Sequence, residues 1–228
     1  MHLRVLKNQE HFHISYLPPH GHDLQKKLVF ELEENAQLKI LFITGGKLSS
    51  LDGEDSKRTL DQQCIVYLLE EKANVEIFGY AYASHSTKII HSTQIYHQHS
   101  NTFSNQKFIH LVSSKGKSEF VGKIRVEKNI QDIQAQQLSK NILLEDTAHA
   151  ISRPELEIYS SQVKCTHGSS TGKINPDHLY YLQSRGIPPK TALQLLQKSY
   201  LMEILQEFDP QGTKLAELQI NKDDLIWT

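Results

Sequence analysis

The sequence predicts a mainly β protein with a small C-terminal α-helical region. Three observations lead to this prediction: apolar and polar residues alternate over long stretches, a strand–turn–strand unit recurs, and convincing helical patterns appear only after Gly172. Alternation with a period of two is typical of strands that bury one face. We therefore assign residues 1–172 to a β core and residues 173–228 to a helical region.

The recurring unit distinguishes between two all-β architectures. Residues 28–40 read LVFELEENAQLKI and residues 65–77, which lie 37 positions later, read IVYLLEEKANVEI. In this alignment Val29 falls on Val66, and the Glu33-Glu34 turn falls on the Glu70-Glu71 turn. Strand units that recur at a long fixed period indicate a solenoid. The repeat therefore favours a β-helix over an antiparallel two-sheet sandwich. Residues 131–143 are rich in Gln and Ala and could form either a helix or a strand.

Two helices are predicted in the C-terminal region. The first begins at an Asn175 N-cap with Pro176 at the first helical position, and it ends at Gly186, which readily adopts a positive φ. The second runs from about residue 189 to residue 208. Its apolar surface is wider than the roughly 100° stripe that a surface helix needs. This width predicts either burial against two neighbours or a face that binds a partner protein.

Composition excludes several functional classes. The chain has 228 residues, with 25 Lys and Arg against 26 Asp and Glu. Because no basic stripe interleaved with aromatic residues appears, we expect no nucleic-acid partner. No apolar run reaches the roughly 18 residues of a transmembrane helix, and the first residues do not resemble a signal peptide. Cys64 and Cys165 are the only cysteines and are expected to be free thiols, which indicates a cytoplasmic protein.

Histidine is abundant, with 13 residues, and three H-x-H pairs occur. On a strand, positions i and i+2 share a face, so each pair could bind one metal ion, although unligated surface histidines are the commoner case. The pairs are His11/His13, His20/His22 and His97/His99. The last pair would also suit a cupin-like metal-dependent enzyme, but the glutamate expected a few positions later is missing.

Cys165 and His167 form the best pair of soft metal ligands in the chain. They are also separated by two positions, so both could approach one iron ion from the same strand face. The alternative is that Val163, Cys165 and His167 simply alternate into the core, since free cysteine is often buried. One thiol and one imidazole do not complete an iron site by themselves.

Several motifs, taken together and in this order, resemble the SufB/SufD family of iron–sulfur cluster assembly scaffold proteins, most closely its SufD branch. They are TFSNQ at 102–106, FVGKIRV at 120–126, AQQ at 135–137, NILL at 141–144, PELEIY at 154–159, VKCTHG at 163–168 and LQSRGI at 182–187. The resemblance implies a right-handed parallel β-helix followed by a short helical region.

It also implies a non-catalytic scaffold subunit with two kinds of protein partner. SufB and SufD pair through their β-helices, and each binds the SufC ATPase through its C-terminal helices. Here the strand around 156–167 would be the edge for pairing with a SufB-type scaffold or a second copy of the chain, and for the cluster. The implied SufC-binding residues are Tyr180, Arg185, Leu193, Leu196, Tyr200 and Ile204.

The resemblance makes Cys165 and His167 candidate ligands of iron or of a cluster, with His97 and His99 as further candidates. We expect no tightly bound cofactor in the isolated chain, only a transient cluster or iron ion. The chain is about half as long as the usual member and lacks the family's N-terminal helical region, which implies a shortened SufD. Ser161 and Gln162 replace the family's usual acidic pair. The alternative is therefore a structural interaction module of the same complex that binds no iron.

Overall fold

The computed structural model describes residues 1–18, 23–45 and 57–217, so His20 and His22 lie outside the described residues. In chain order the strands are β1 (His2–Val5), β2 (Glu10–Leu17), β3 (Leu24–Leu32), β4 (Gln37–Gly45), β5 (Arg58–Leu68), β6 (Asn74–Ala83), β7 (Thr87–His97), β8 (Phe103–Val112), β9 (Lys117–Val126), β10 (Ile133–Leu143), β11 (His149–Ile158) and β12 (Val163–Lys173). The helices are α1 (Pro176–Ser184), α2 (Pro189–Phe208) and α3 (Thr213–Glu217).

The strands form two parallel sheets that the chain visits alternately. The first sheet has the order β1-β3-β5-β7-β9-β11, and the second sheet has the order β2-β4-β6-β8-β10-β12. Every pair of neighbouring strands is parallel, so the chain coils through about five turns of a β-solenoid. The predicted β-helix is confirmed and the antiparallel sandwich is wrong. The ambiguous segment 131–143 supplies the strand β10.

The predicted repeat is correct in one sheet and shifted by one residue in the other. In the second sheet Ile40 pairs with Ile77, at the predicted spacing. In the first sheet Val29 pairs with Ile65 rather than with Val66. The reason lies in the corner after β5, which holds one more residue than the corner after β3. This extra residue restores the alignment before the next strand begins.

One corner of the solenoid has the same backbone conformation at each of the five connections from β1–β2 to β9–β10. A residue with φ between 56° and 60° occupies it each time and donates its backbone N–H to a carbonyl of the next turn. These residues are Asn8, Asn35, Lys72, Asn101 and Asp132. Asn and Asp tolerate the left-handed region better than other side chains, which explains four of the five choices.

The second sheet is buried on both faces. Its inner face packs Ile40, Phe42 and Phe108 into the solenoid core, and its outer face carries a second apolar layer under α2. Strands covered on both sides read as continuous apolar runs, which is why alternation breaks down within β4 and β6. The aromatic rings of Phe78 and Phe208, whose centroids lie 6.3 Å apart, join this layer to α2.

The helices agree closely with their prediction. The Asn175 side chain accepts a hydrogen bond of 2.9 Å from the backbone N–H of Asp177, and Gly186 has φ of 83°. The second helix spans the predicted residues and crosses the outer face of the second sheet.

A chain of hydrogen-bonded polar side chains crosses the interior of the solenoid. Neighbouring members lie 2.5–2.9 Å apart. In order, they are Ser15, Gln62, Thr44, His91, His110 and Ser118, and each is almost fully buried. Buried polar groups are stable only when they are hydrogen-bonded, and this arrangement satisfies them mutually.

Candidate functional site

The candidate site lies at the open end of the solenoid, where β11 and β12 form the last turn. Each of these strands has one neighbour among the described strands, β9 for β11 and β10 for β12. Half of the backbone N–H and C=O groups of both strands therefore face outward without a strand partner. Pro154 within β11 fits this position, because proline is tolerated at a sheet edge. Two free strand edges consequently lie side by side at one end of the molecule.

Apolar side chains that face inward on the last turn are only partly covered. Leu156, Ile158 and Val163 pack against the preceding turn but keep solvent exposure, because no further described turn follows. On the outer faces, Ile151 and Tyr159 are exposed. An uncovered solenoid end with apolar residues and free strand edges is typical of a surface that binds another chain.

Cys165 and His167 lie on the same face of β12, as predicted, and this face points inward. Their register partners on β10 are Ala135 and Gln137, which are both buried inside the solenoid. Cys165 is half-buried and His167 is exposed, because their face looks out of the open end. Burial raises the pKa of the Cys165 thiol, so a metal ion would have to displace its proton on binding.

Gln137 is the site residue that the sequence reasoning did not single out. Its side chain is 3% exposed, and neither its Oε1 nor its Nε2 has a hydrogen-bond partner among the described residues. It packs against Gly122 and stands one strand behind His167. Strand alternation alone would have found it, since Gln137 shares its inward face with Ala135.

His97 is held elsewhere in the molecule. It is buried, its Nδ1 lies 2.7 Å from Thr102 Oγ1, and its Nε2 lies 2.9 Å from Ser104 Oγ. Ser104 and Cys165 are two strands apart in the second sheet, with β10 between them, which corresponds to roughly 9–10 Å. The structure therefore does not bring His97 and Cys165 around one iron ion.

His99 does not share a strand face with His97, because β7 ends at His97. His99 is exposed in the following corner, with its Nδ1 4.0 Å from a Glu71 carboxylate oxygen. The cupin-like arrangement is also incompatible with the parallel solenoid, since the double-stranded β roll considered for it is a different architecture.

His11 and His13 lie on the inward face of β2 at the other end of the solenoid, with ring centroids 6.4 Å apart. Burial lowers the pKa of His13 to about 4. Within residues 1–18, 23–45 and 57–217, no group of three or more His, Cys, Asp or Glu is arranged to hold a metal ion. Within the described part of the chain, Cys165 and His167 are thus not joined by a third ligand of these types.

The residues predicted to bind an ATPase partner fall into two groups. Ile204 is 0% exposed and packs against the second sheet, so its predicted place on a docking surface is corrected by its burial. Leu193, Leu196 and Tyr200 are partly covered by the same apolar layer. The wide apolar surface of α2 thus serves mainly to attach the helix to the solenoid.

The other two predicted residues are freely accessible. Tyr180 is 74% exposed and Arg185 is exposed at the end of α1. Tyr181 and Leu195 are exposed as well, and the sequence reasoning did not include them. The Arg185 guanidinium lies 5.4 Å from the centroid of the Tyr181 ring. The accessible apolar surface of the helical region therefore centres on α1 and the adjoining start of α2.

Comparison with known proteins identifies the family. The family model described as "SUF system FeS cluster assembly, SufBD core domain" matches residues 34–200. The chain belongs to the SufBD family. The matched range contains most of the solenoid, including the whole of β12, and the greater part of α2. None of the helices in the described part of this SufBD chain combines the length and apolar content that a membrane span requires.

Individual relatives support the SufD branch. The chain is 32% identical over 124 residues to the iron–sulfur cluster assembly protein SufD of Escherichia coli, a match that covers 54% of the chain and 29% of that protein. It is 28% identical over 184 residues to SufD of Plasmodium falciparum, covering 79% of the chain and 12% of the relative. A SufBD family protein of Synechocystis is 36% identical over 130 residues, covering 57% of the chain and 27% of the relative. Each of these matches thus covers less than a third of the relative's length.

Proposed function

We propose that this chain is a non-catalytic scaffold subunit of a Suf-type iron–sulfur cluster assembly complex in the cytosol. The observation that carries the proposal is the coincidence, at one end of the solenoid, of two free strand edges with Cys165 and His167. Family membership supports the general role, and this end of the molecule supports the pairing with a SufB-type scaffold or with a second copy of the chain.

Pairing would proceed by addition of strands to the exposed edges of β11 and β12. A partner solenoid that continues both sheets would satisfy the outward backbone groups by main-chain hydrogen bonds. It would also cover the inward-facing Leu156, Ile158 and Val163, which the chain itself leaves partly exposed. Stacked repeats in solenoids are stabilised in the same way by their neighbours.

The same contact would complete a metal site. Iron–sulfur clusters prefer thiolates, with histidine as an occasional substitute, and usually take four protein ligands. Cys165 and His167 would supply two of them from β12, and residues of the partner would supply the others. The cluster or iron ion would be held only while the complex is assembled, so the isolated chain would bind none tightly.

The SufC-type ATPase would bind the exposed surface of the helical region. Tyr180, Tyr181, Arg185 and Leu195 are the accessible residues there. Tyrosine and arginine are enriched among residues that dominate binding energy at protein interfaces. Because Ile204 and its neighbours on α2 are buried against the second sheet, a movement of the helical region caused by the bound ATPase would also move the solenoid.

A second candidate function is a purely structural subunit of the same complex that touches no iron. The exposed side chains of Ser161 and Gln162, beside β12, favour it because they provide no carboxylate near the edge. The two candidate functions involve the same contacts with partner proteins and differ only in whether Cys165 and His167 bind iron.

Anaerobic reconstitution with iron, sulfide, a SufB-type scaffold and a SufC-type ATPase separates these candidates. We expect charge-transfer absorbance that decreases in Cys165→Ala and His167→Ala. Lys164→Ala is the matched control, because Lys164 is exposed on the opposite face of the same strand. Unchanged absorbance in both ligand variants would favour the structural subunit.

Pairing is tested independently of iron by size-exclusion chromatography with light scattering. Leu156→Lys places a charge inside the open end and should abolish pairing with the scaffold partner or with a second copy. Glu155→Lys places a lysine on the outer face of β11 instead and should leave pairing intact. Equal behaviour of the two variants would refute the edge-to-edge arrangement.

Binding of the ATPase is tested by pull-down with a SufC-type protein. Tyr180→Ala combined with Tyr181→Ala should weaken capture, whereas His178→Ala, an exposed change on the same helix, should not. Intact capture by the double variant would exclude α1 from the docking surface.

A further inference from the structure

A groove of about 760 Å³ runs across the turns along one side of the solenoid and reaches the start of β11. It crosses the corner at which the chain leaves the second sheet and enters the first, at the starts of β5, β7, β9 and β11. Its lining residues are Asp23, Lys57, Arg58, Thr59, Ser86, Lys88, Lys115, Lys117, Asp146, Thr147 and His149. Its volume lies within the roughly 300–1,000 Å³ that small-molecule sites occupy.

Positive charge predominates in this groove, although the chain as a whole is close to neutral. Five lysine and arginine side chains line it, against two carboxylates. Both carboxylates are engaged: Asp23 accepts a hydrogen bond of 2.6 Å from the backbone N–H of Thr59, and Asp146 lies 2.5 Å from Lys173 Nζ. Arg58 lines the groove with only 5% of its surface exposed.

The register of the first sheet stacks these groups in one row. Thr59, Lys88, Lys117 and His149 are successive partners on β5, β7, β9 and β11. Neighbouring strands are about 4.8 Å apart, so the row presents one polar or basic side chain at each step. Lys88 pairs with Glu119 at 2.9 Å.

Three of the lysines, in contrast, have no ion pair with any described residue. These are Lys57, Lys115 and Lys117, and the last stands directly beside Lys88. Like charges on adjacent strands repel each other, and Glu119 compensates the charge of Lys88 but leaves Lys117 without an ion pair among the described residues. Ser86 and the Thr59 hydroxyl add neutral hydrogen-bond donors at the same place.

From this arrangement we propose that the groove binds a compound that carries a chain of phosphate groups, such as inorganic triphosphate or a nucleoside triphosphate. Lysine ammonium groups are established ligands of phosphate, and several of them on one rigid face favour a multiply charged anion over a single phosphate group. Arg58, Lys88 and Lys117 lie at the starts of strands, and Lys57 and Lys115 lie in the connections that lead into β5 and β9. Of its lining residues only His149 lies on a strand of the last turn, and none is a candidate iron ligand.

Isothermal titration calorimetry of the full chain at low salt tests the proposal, with sodium triphosphate and ATP as separate ligands. We expect saturable binding that weakens at least about tenfold in Lys117→Glu. Lys128→Glu is the matched control, because Lys128 is exposed at the opposite corner, and it should bind like the unchanged protein. Circular dichroism checks that each variant is folded.

The two ligands distinguish what is recognised. Equal affinity for triphosphate and ATP would assign recognition to the phosphate chain alone, and tighter binding of ATP would add a contact to the nucleoside; either result supports the proposal. Three results would overturn it: no saturable binding of either ligand, equal weakening by Lys128→Glu, or binding of poly-glutamate without binding of triphosphate. The last result would assign the groove to an acidic protein segment.

Discussion

Acidification should unfold this protein through three histidines in its core. His91, His97 and His110 are almost fully buried, and their ring nitrogens are hydrogen-bonded to neutral side chains. Burial lowers the pKa of His97 and that of His110 to about 3, and it lowers the pKa of His91 well below its ordinary value. All three rings are therefore neutral in the folded protein at mildly acidic pH.

The sign of the effect follows from proton linkage. An unfolded histidine has a pKa of about 6.5, so below that pH the unfolded chain binds more protons than the folded chain. Stability is fully present above this value and is lost as the pH falls below it toward the folded values. Between about pH 7 and about pH 5 each histidine costs roughly 2 kcal/mol, and the three together about 6 kcal/mol. This loss is a large part of the roughly 5–15 kcal/mol that stabilises a typical domain.

Urea unfolding at the two pH values, followed by circular dichroism, measures this loss. His97→Gln removes one of the three groups, so we expect its pH-dependent loss to be smaller by about 2 kcal/mol. This holds even though the variant is less stable at neutral pH, where the partners of His97 are disturbed. His178→Gln, at an exposed position on α1, should keep the full loss. If His97→Gln lost as much stability on acidification as the unchanged protein, the reasoning would be wrong.

Three further predictions concern packing and backbone conformation, and urea unfolding at neutral pH measures all of them. Gly79→Ala would drive a methyl group into the Phe108 ring and should cost about 1–3 kcal/mol, whereas Gly172→Ala, which meets open space, should cost little; equal costs would contradict the packing. Ile204→Ala should cost about 2–5 kcal/mol by leaving a cavity under α2, against less than about 0.5 kcal/mol for the exposed Leu195→Ala. Lys72→Asn should add about 0.5 kcal/mol at a left-handed corner position, and a lower stability would disprove that explanation.

The fold could be predicted from the sequence because its main signals are local. Alternation of apolar residues reports which face of a strand is buried, and the recurring turn reports that strands stack at a fixed period. The helix bounds followed from Asn175 and Gly186 for the same reason. The one-residue shift at Val29 escaped prediction because an extra corner residue changes the spacing in one sheet and leaves the other aligned.

The site was harder to predict because it depends on contacts between distant parts of the chain. The spacing of Cys165 and His167 predicted that they share one face of a strand. Their exposure to solvent could not be predicted in this way, because it depends on β12 being the last strand of the second sheet. The spacing of His97 and His99 suggested a shared face, yet β7 ends between them and Ser104 from the next strand fixes the His97 ring. Ile204 belongs to a helical stripe that is equally consistent with a partner protein and with the protein's own sheet, and only the packing of α2 decides between them.

The chain of hydrogen-bonded polar side chains from Ser15 to Ser118 restricts how the turns of the solenoid can align with one another. If the interior of the solenoid held only aliphatic side chains, one strand could shift by two residues against its neighbour and still bury its apolar face. In this protein such a shift would break the hydrogen bond between His91 and His110 and leave their ring nitrogens buried without partners. Each buried group left without a hydrogen bond would cost about 1–3 kcal/mol. This chain of polar side chains therefore favours the native register, in which all six members from Ser15 to Ser118 are hydrogen-bonded to one another.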